Sequence, residues 1–206
     1  MLQQLEQVLE QRTTVKYFDG NPIPNHITEV LKKSVVQTPS CNNRYNYKVK
    51  VIGQSLEDRK AKVNLHNYIC TVSNKPVENI NNANIERPPK SLDEAYKWKE
   101  QGILFPNING QVLAPLLFIW YIPDSDPINT DWIDIGLSCW NSVLKAEMAG
   151  IQTGFCTCFD SKCLQDFLKI PGLPVVILGF GYASSTIPNH EKHKDRSKPL
   201  WDTVVS

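Results

Sequence analysis

Two apolar runs limit what this chain can fold into. VLAPLLFIWYI, residues 112–122, and PVVILGFGY, residues 174–182, are apolar at nearly every position. A strand with one wet face alternates, whereas a strand apolar on both faces lies inside a sheet that is covered on both sides. Neither run reaches the roughly 20 residues needed to cross a bilayer, and Pro115 interrupts the first. Proline has no N–H to give to a ladder, so regular pairing is expected from Leu116 onward. YKVKVI at 47–52 alternates and is read as a third strand.

Helical spacing supplies the cover. Leu2, Leu5, Val8 and Leu9 give a stripe over 2–11. A helix is expected from Pro24 to Val36, with Ile27, Val30, Leu31, Ser34 and Val35 as its inner face, ended by Thr38-Pro39. A short helix is expected over 56–65. The strongest helix spans 132–149, with Ile133, Leu137, Trp140, Leu144 and Met148 recurring at helical intervals. Asp131 caps it, Asp134 sits in its first turn, and Gly150 ends it. A cysteine-rich turn and a short helix over 161–169 follow. With no internal repeat and helices mixed among strands, one α+β domain over 1–206 fits the order. Residues 73–110, rich in Asn and Pro around an amphipathic SLDEAYKWKEQG, read as a long excursion or lid. Residues 190–206 form a basic arm ending in a strand-like TVV.

Several functions are excluded or disfavoured. The formal net charge of +1 gives no reason to expect nucleic acid. No membrane span is present, and the amphipathic N-terminus has no secretory apolar core, so a cytoplasmic protein is expected. The six cysteines are irregularly spaced and read as free thiols. Cys156, Cys158 and Cys163 would make a thiol–metal site only with a fourth ligand, so no metal is expected. GFGYAS at 179–184 lacks a third glycine and a following helix, which rules out a dinucleotide fingerprint. There is no GxSxG or HExxH. An enzyme built this way leaves its chemistry to a bound cofactor.

One stretch is suited to hold such a cofactor. QRTTVKYFDG, residues 11–20, sets Arg12 and Lys16 around Thr13 and Thr14. Cations supply charge and hydroxyls supply directed donors, a combination that suits a phosphate. Lys194, Arg196 and Lys198 form a second basic group at the far end, useful only if the fold brings the two together. SCNNRYNY, residues 40–47, offers polar side chains that either bond a heterocycle or satisfy their own loop.

Taken in order, QRTTVKYFDG, TPSCNNRYNYKVKVI, APLLFIWY, DIGLSCWNSVLKAEMAGIQTGFCTCFD and LGFGYA with KDRSKPLWDTVV resemble the nitroreductase family of flavin enzymes. The resemblance implies a central, mostly antiparallel sheet flanked by helices, in an intertwined homodimer with one FMN per subunit at the interface. Arg12, Thr14 and Lys16 would reach the phosphate and ribityl chain, and Thr13 would offer its backbone to the ring edge. Lys194, Arg196 or Lys198 would close on the phosphate. Ser40 and Asn43 would come from the partner subunit. Phe155, Cys156, Thr157 and Cys158 would pass the ring with backbone N–H groups near N5, and Asn107 would touch the pyrimidine edge. The implied reaction is ping-pong hydride transfer from NADH or NADPH to a nitroaromatic, quinone or similar acceptor. The chain departs from the family at Tyr45-Asn46-Tyr47, where Gln-Pro-Trp is usual, and at Phe155 and Thr157, where Pro and Glu are frequent. The substrate pocket therefore differs, and a flavin carrier or sensor without turnover is the alternative.

Overall fold

The computed structural model describes residues 2–72, Glu94, 109–123 and 127–185. Most of the expected excursion, the expected arm, Asn107 and the cations Lys194, Arg196 and Lys198 lie outside the described residues. Four strands, β1 (Lys48–Ile52), β2 (Leu116–Ile122), β3 (Gln152–Cys156) and β4 (Leu173–Gly181), form one antiparallel sheet in the order β1-β2-β4-β3. The two apolar runs are thus its inner strands. Pairing of β2 begins at Leu116, as Pro115 dictates.

Both faces of the sheet are covered. Leu116, Phe118, Trp120 and Ile122 point to one side, against α2 (Asn25–Ser34) and α4 (Asn129–Met148). Leu117, Ile119 and Tyr121 point to the other, with Leu65 and Ile69 of α3 (Leu56–Val72) and Leu164 of α5 (Ser161–Leu168). A ten-residue helix, α1 (Leu2–Gln11), opens the chain. No described helix is long and apolar enough to cross a membrane.

The structure departs from the sequence reading in five places. The helix expected over 56–65 runs to Val72, because Ile69 extends the buried face of Leu65 by one more turn. Val30, expected on the inner face of α2, is exposed, while Leu31 and Ser34 of that face are buried as expected. The cysteine-rich turn begins as strand β3, a five-residue edge element too short to announce itself by periodicity. Helix α4 starts at Asn129, so Asp131 is its third residue and Asp134 lies in its second turn. Asp131 accepts the Ile128 N–H at 3.0 Å, which is half of a capping box, since the Ile128 side chain has nothing to accept with.

The fifth departure concerns which face of α4 is buried. Its sheet-facing side is small and partly polar: Ile135, Ser138, Cys139, Ser142, Val143 and Ala146. Its large apolar stripe looks outward, with Ile133 61% and Met148 65% exposed and Leu137 and Trp140 also exposed. Small residues let α4 lie close to α2, where hydroxyls join the two helices. Ser138 Oγ donates to the Val35 carbonyl at 2.7 Å and accepts the Trp120 indole N–H at 3.0 Å. Ser34 and Ser142 share a 2.7 Å hydroxyl contact, and Asn141 Nδ2 donates to the Ser34 carbonyl at 2.7 Å.

Gly150 stops α4 as expected. The Gly150 N–H donates to the Glu147 carbonyl at 3.0 Å and the Ile151 N–H to the Ala146 carbonyl at 2.9 Å, with Gly150 at φ +73°. This is a Schellman termination, whose left-handed residue is cheapest as glycine. A Cβ there meets nothing within 4 Å, so Gly150→Ala carries only the conformational cost. A loss of about 1 kcal/mol is expected in the denaturant midpoint, with no change in bound ligand.

Candidate functional site

The basic stretch is laid along the open edge of the sheet. The Arg12 N–H closes the last turn of α1 on the Val8 carbonyl at 3.0 Å. Thr14 then pairs in parallel with Thr153 of β3, and the Val15 N–H donates to the Thr153 carbonyl at 2.8 Å. Phe18 pairs with Ala183, the Asp19 N–H donates to Tyr182 at 3.0 Å, and the Ser184 N–H donates to Tyr17 at 2.8 Å. Val15 and Phe18 anchor this strap in the core. Two-residue alternation turns Thr14 and Lys16 the other way, and Thr13 and Thr14 are exposed.

Gly154 permits the close approach. A Cβ on it would stand 2.0 Å from the Val15 carbonyl oxygen and 2.9 Å from Gln111 Cβ. Gln111 enters from a 3-10 turn, Gly110–Leu113, that precedes β2. Its Nε2 donates to the Phe155 carbonyl at 2.9 Å. Its Oε1 is buried and has no hydrogen-bond partner among the described residues, and the residue as a whole is 4% exposed. A buried acceptor left without a donor costs about 1–3 kcal/mol.

The structure therefore brings Arg12, Thr13, Thr14 and Lys16 to the strand that carries Phe155 and Cys156 and leads into Thr157 and Cys158. Cys156 turns its side chain into the core beside Leu117 and Ile177, so only its backbone faces outward. Thr157 and Cys158 are exposed. Cys156 and Cys158 thus occupy different environments, and among the described residues no cluster of three or more metal-ligating side chains forms. Burial pushes the Cys139 thiol well above its ordinary range. Cys158 is expected to react with a small alkylating reagent in the native protein well before Cys139 or Cys156, as read by peptide mass spectrometry.

Ser40 and Asn43 lie elsewhere in the chain. Ser40 Oγ donates to Asp134 Oδ2 at 2.8 Å, and the Cys41 N–H reaches the same carboxylate at 3.1 Å. The Tyr45 N–H donates to Ser40 Oγ at 2.8 Å. Asn42, Asn43 and Tyr45 all take positive φ in this tight loop, and Asn43 is exposed. Arg12, by contrast, stacks on Trp140 of α4, 5.5 Å from the ring centroid. Asp134 and Trp140 are six residues apart, which places the loop and Arg12 about 9 Å apart along the helix.

Two residues with strong environments escaped the sequence reading. Gln111 follows Asn109 and Gly110 and precedes the apolar run that opens at Val112, so no sequence signal marks it. Lys62 has no signal either, since a lysine on an amphipathic helix is ordinary. It is 2% exposed, and its Nζ donates to the carbonyls of Ala114 at 2.7 Å and Pro115 at 3.2 Å and to Gln54 Oε1 at 3.4 Å. Burial lowers its pKa to about 7, with Asp58 opposing and Arg59 assisting.

The profile of the Nitroreductase family matches residues 9–182. Among solved structures, the chain is similar to a nitroreductase with bound FMN from Bacteroides fragilis NCTC 9343. That match has 13% identity, covers 98% of this chain and 97% of the other, and has a TM-score of 0.67. A variant of the FMN- and NADPH-dependent nitroreductase NfnB from Sphigopyxis sp. strain HMH gives 14% identity, 98% and 97% coverage, and 0.66. An iodotyrosine deiodinase bound to FMN and 3-iodo-L-tyrosine gives 19% identity, 95% and 96% coverage, and 0.66. At these identities the likeness is one of fold. No curated protein matches at the sequence level.

Proposed function

The chain belongs to the nitroreductase family, and on that premise we propose that it is an FMN-dependent oxidoreductase, active as a homodimer. NADH or NADPH would be the hydride donor, and a nitroaromatic, quinone or similar acceptor would follow it into the same slot in ping-pong turnover. The observation that carries the reading is the strap, which pairs Thr14 with Thr153 and so runs the stretch that holds Arg12, Thr13 and Lys16 along the edge of β3.

The residues present fit the cofactor. Gln111 Oε1 is a buried acceptor awaiting a donor, and a flavin's pyrimidine edge carries an N–H. When bound, FMN supplies the two-electron chemistry. The chain supplies the rest. Arg12, Thr14 and Lys16 would hold the phosphate and ribityl hydroxyls, and Thr13 would lend its backbone. The backbone from Phe155 to Cys158 would line the ring, fixed in place by the Gln111 amide on the Phe155 carbonyl. Asn107 would sit on the pyrimidine edge and Lys194, Arg196 or Lys198 would close on the phosphate. Donors held in place in this way stabilise developing negative charge without reorganising.

The homodimer rests on the outward stripe. Ile133, Leu137, Trp140 and Met148 of α4, with Leu5 and Leu9 of α1, are all exposed. Large apolar side chains left exposed along one helix face mark an association surface. A second copy would cover it and would bring Ser40 and Asn43 to the flavin of its partner, consistent with their separation from Arg12 in one chain. Leu137→Glu is expected to convert the sedimenting species to monomer, and an unchanged mass would remove this part of the reading.

The deciding experiment mixes flavin-loaded protein with NADH or NADPH under anaerobic conditions. Bleaching of the long-wavelength flavin band is expected. Retained flavin that no nicotinamide bleaches would instead favour the carrier or sensor. Protein that neither carries nor takes up FMN would end the proposal.

A further inference from the structure

The loop that leads from α2 to β1 is held in a shape its sequence does not favour. Asn42, Asn43 and Tyr45 take φ of 52°, 58° and 46°. Asparagine tolerates that region. A side chain as bulky as tyrosine stays there only where its surroundings over-determine it, and such residues gather at functional sites. Here the surroundings are two carboxylates on α4, Asp134 and Asp131, both buried. Asp134 accepts the Ser40 hydroxyl at 2.8 Å and the Cys41 N–H at 3.1 Å. Ser40 Oγ in turn accepts the Tyr45 N–H at 2.8 Å, which closes the loop on itself. Asp131 accepts Asn46 Nδ2 at 3.0 Å. The Tyr45 hydroxyl donates to the Thr38 carbonyl at 2.9 Å and ties the far side down.

A carboxylate suits this task better than a neutral group. It only accepts, so it takes an O–H and an N–H side by side with no donor of its own to misplace. Bonds to it are shorter and stronger than bonds between neutral groups. Among the described residues neither carboxylate is in an ion pair; the described pairs are Lys32–Glu29 and Lys60–Glu57. The donors of the loop therefore compensate the burial of Asp134. The shape so fixed leaves Asn42 and Asn43 exposed. It stands on the first half of α4, next in the chain to Ile133, which opens the outward stripe and is exposed. Arg12 stacks on Trp140, farther along the same helix.

We propose that Asp134 is a positioning residue for the flavin of the opposite subunit, locking the loop of Ser40–Asn46 in the shape that presents Asn43 to it; this rests on the shared FMN site proposed above. Asp134 touches no ligand. Ser40 spends its hydroxyl inside the loop and acts with Asp134 on its shape. The consequence is an effect in trans. A fault at Asp134 in one chain empties the site built on the other chain's strap and spares the site on its own.

The test is the flavin content of mixed dimers. Full chains carrying Arg12→Ala or Asp134→Asn, under two different affinity tags, are co-expressed, and the mixed dimer is separated from both homodimers. Two-fold symmetry gives each homodimer two like sites. Either variant homodimer is expected to bind FMN at least about tenfold more weakly than wild type, since each site lacks the cation or the ordered loop. In the mixed dimer one site collects both faults, and the other joins an intact Arg12 to an intact loop. It is expected to retain half the wild-type flavin, read by absorbance after gel filtration. A mixed dimer with no tight site is the result if the loop serves its own chain, and it would overturn the inference while leaving FMN binding and the dimer intact. An Asp134→Asn homodimer that binds FMN as wild type does would overturn it too. Asn43→Gly provides the second arm: it removes the amide at a positive φ that glycine takes freely and leaves the buried bonds alone. Paired with Arg12→Ala, it is expected to give the same half content. Half content with Asn43→Gly but none with Asp134→Asn would mean that Asp134 does more than set the loop, against the proposal. A wild-type chain that is monomeric or takes up no FMN would overturn the shared-site reading and this inference together.

Discussion

Gly154→Ala is expected to lose about 3 kcal/mol of stability or more and to leave the protein without bound flavin. The added methyl would sit 2.0 Å from the Val15 carbonyl oxygen and 2.9 Å from Gln111 Cβ. Overpacking a core ordinarily costs about 1–3 kcal/mol because side chains can give way. Here the obstacle is backbone, and it is tied down: Val15 N–H bonds Thr153 at 2.8 Å, and Gln111 bonds the Phe155 carbonyl at 2.9 Å. Either the strap lifts, taking Thr14 and Lys16 with it, or β3 shifts against β4. Gly136 is the control. It lies exposed in α4 with nothing within 4 Å of its would-be Cβ, and Gly136→Ala should stabilise by up to about 1 kcal/mol. Denaturant midpoints and flavin absorbance of the two variants check both statements. A Gly154→Ala protein as stable and as yellow as wild type would mean the strap does not lie where it is described.

The second large effect is on pH dependence. Lys62 has a folded pKa of about 7 against an ordinary value of 10.5. Between those values the unfolded chain holds a proton that the folded chain has released. Stability should therefore rise as pH climbs from about 7 toward 10, by on the order of 1 kcal/mol per unit, and level off above and below. Other groups titrate in this window, so the reading is a difference: Lys62→Met should flatten the slope. It should also free the carbonyls of Ala114 and Pro115, which the amine now holds. The turn carrying Gln111 ends at these residues, so the variant is expected to bind FMN more weakly even where its stability matches. Parallel melting curves of wild type and variant from about pH 7 to about pH 10 would refute the burial argument.

What was legible in the sequence follows from which forces are local. β2 and β4 declared themselves because continuous apolarity in a run this short has one structural use in an α+β chain. Gly150 and Pro115 did so because each imposes a backbone rule on its own position. β3 did not: Gly154 removes a side chain from a five-residue edge strand, leaving no pattern to read. The family resemblance put Arg12 through Lys16 near Phe155 through Cys158; the structure pairs Thr14 with Thr153 of the same strand, and no local chemistry joins residues so far apart in the chain. On sequence alone the Ser40 loop could bond a heterocycle or satisfy itself; its hydroxyl donates to Asp134 and accepts the Tyr45 N–H, and Asp134 is too far along the chain for a local pattern to name. Gln111 and Lys62 stand out only once burial is known, since their significance is what surrounds them.

Seams between helices built from methyl groups slide and roll at little cost. The one between α2 and α4 is keyed by directed bonds from Ser34, Ser138, Asn141 and the Trp120 indole, and such bonds fit a single azimuth. Turning α4 by even a fraction of a residue would break several at once. The compass bearing of Ile133, Leu137, Trp140 and Met148 is thus decided on the opposite side of the helix, by hydroxyls that no second molecule ever touches.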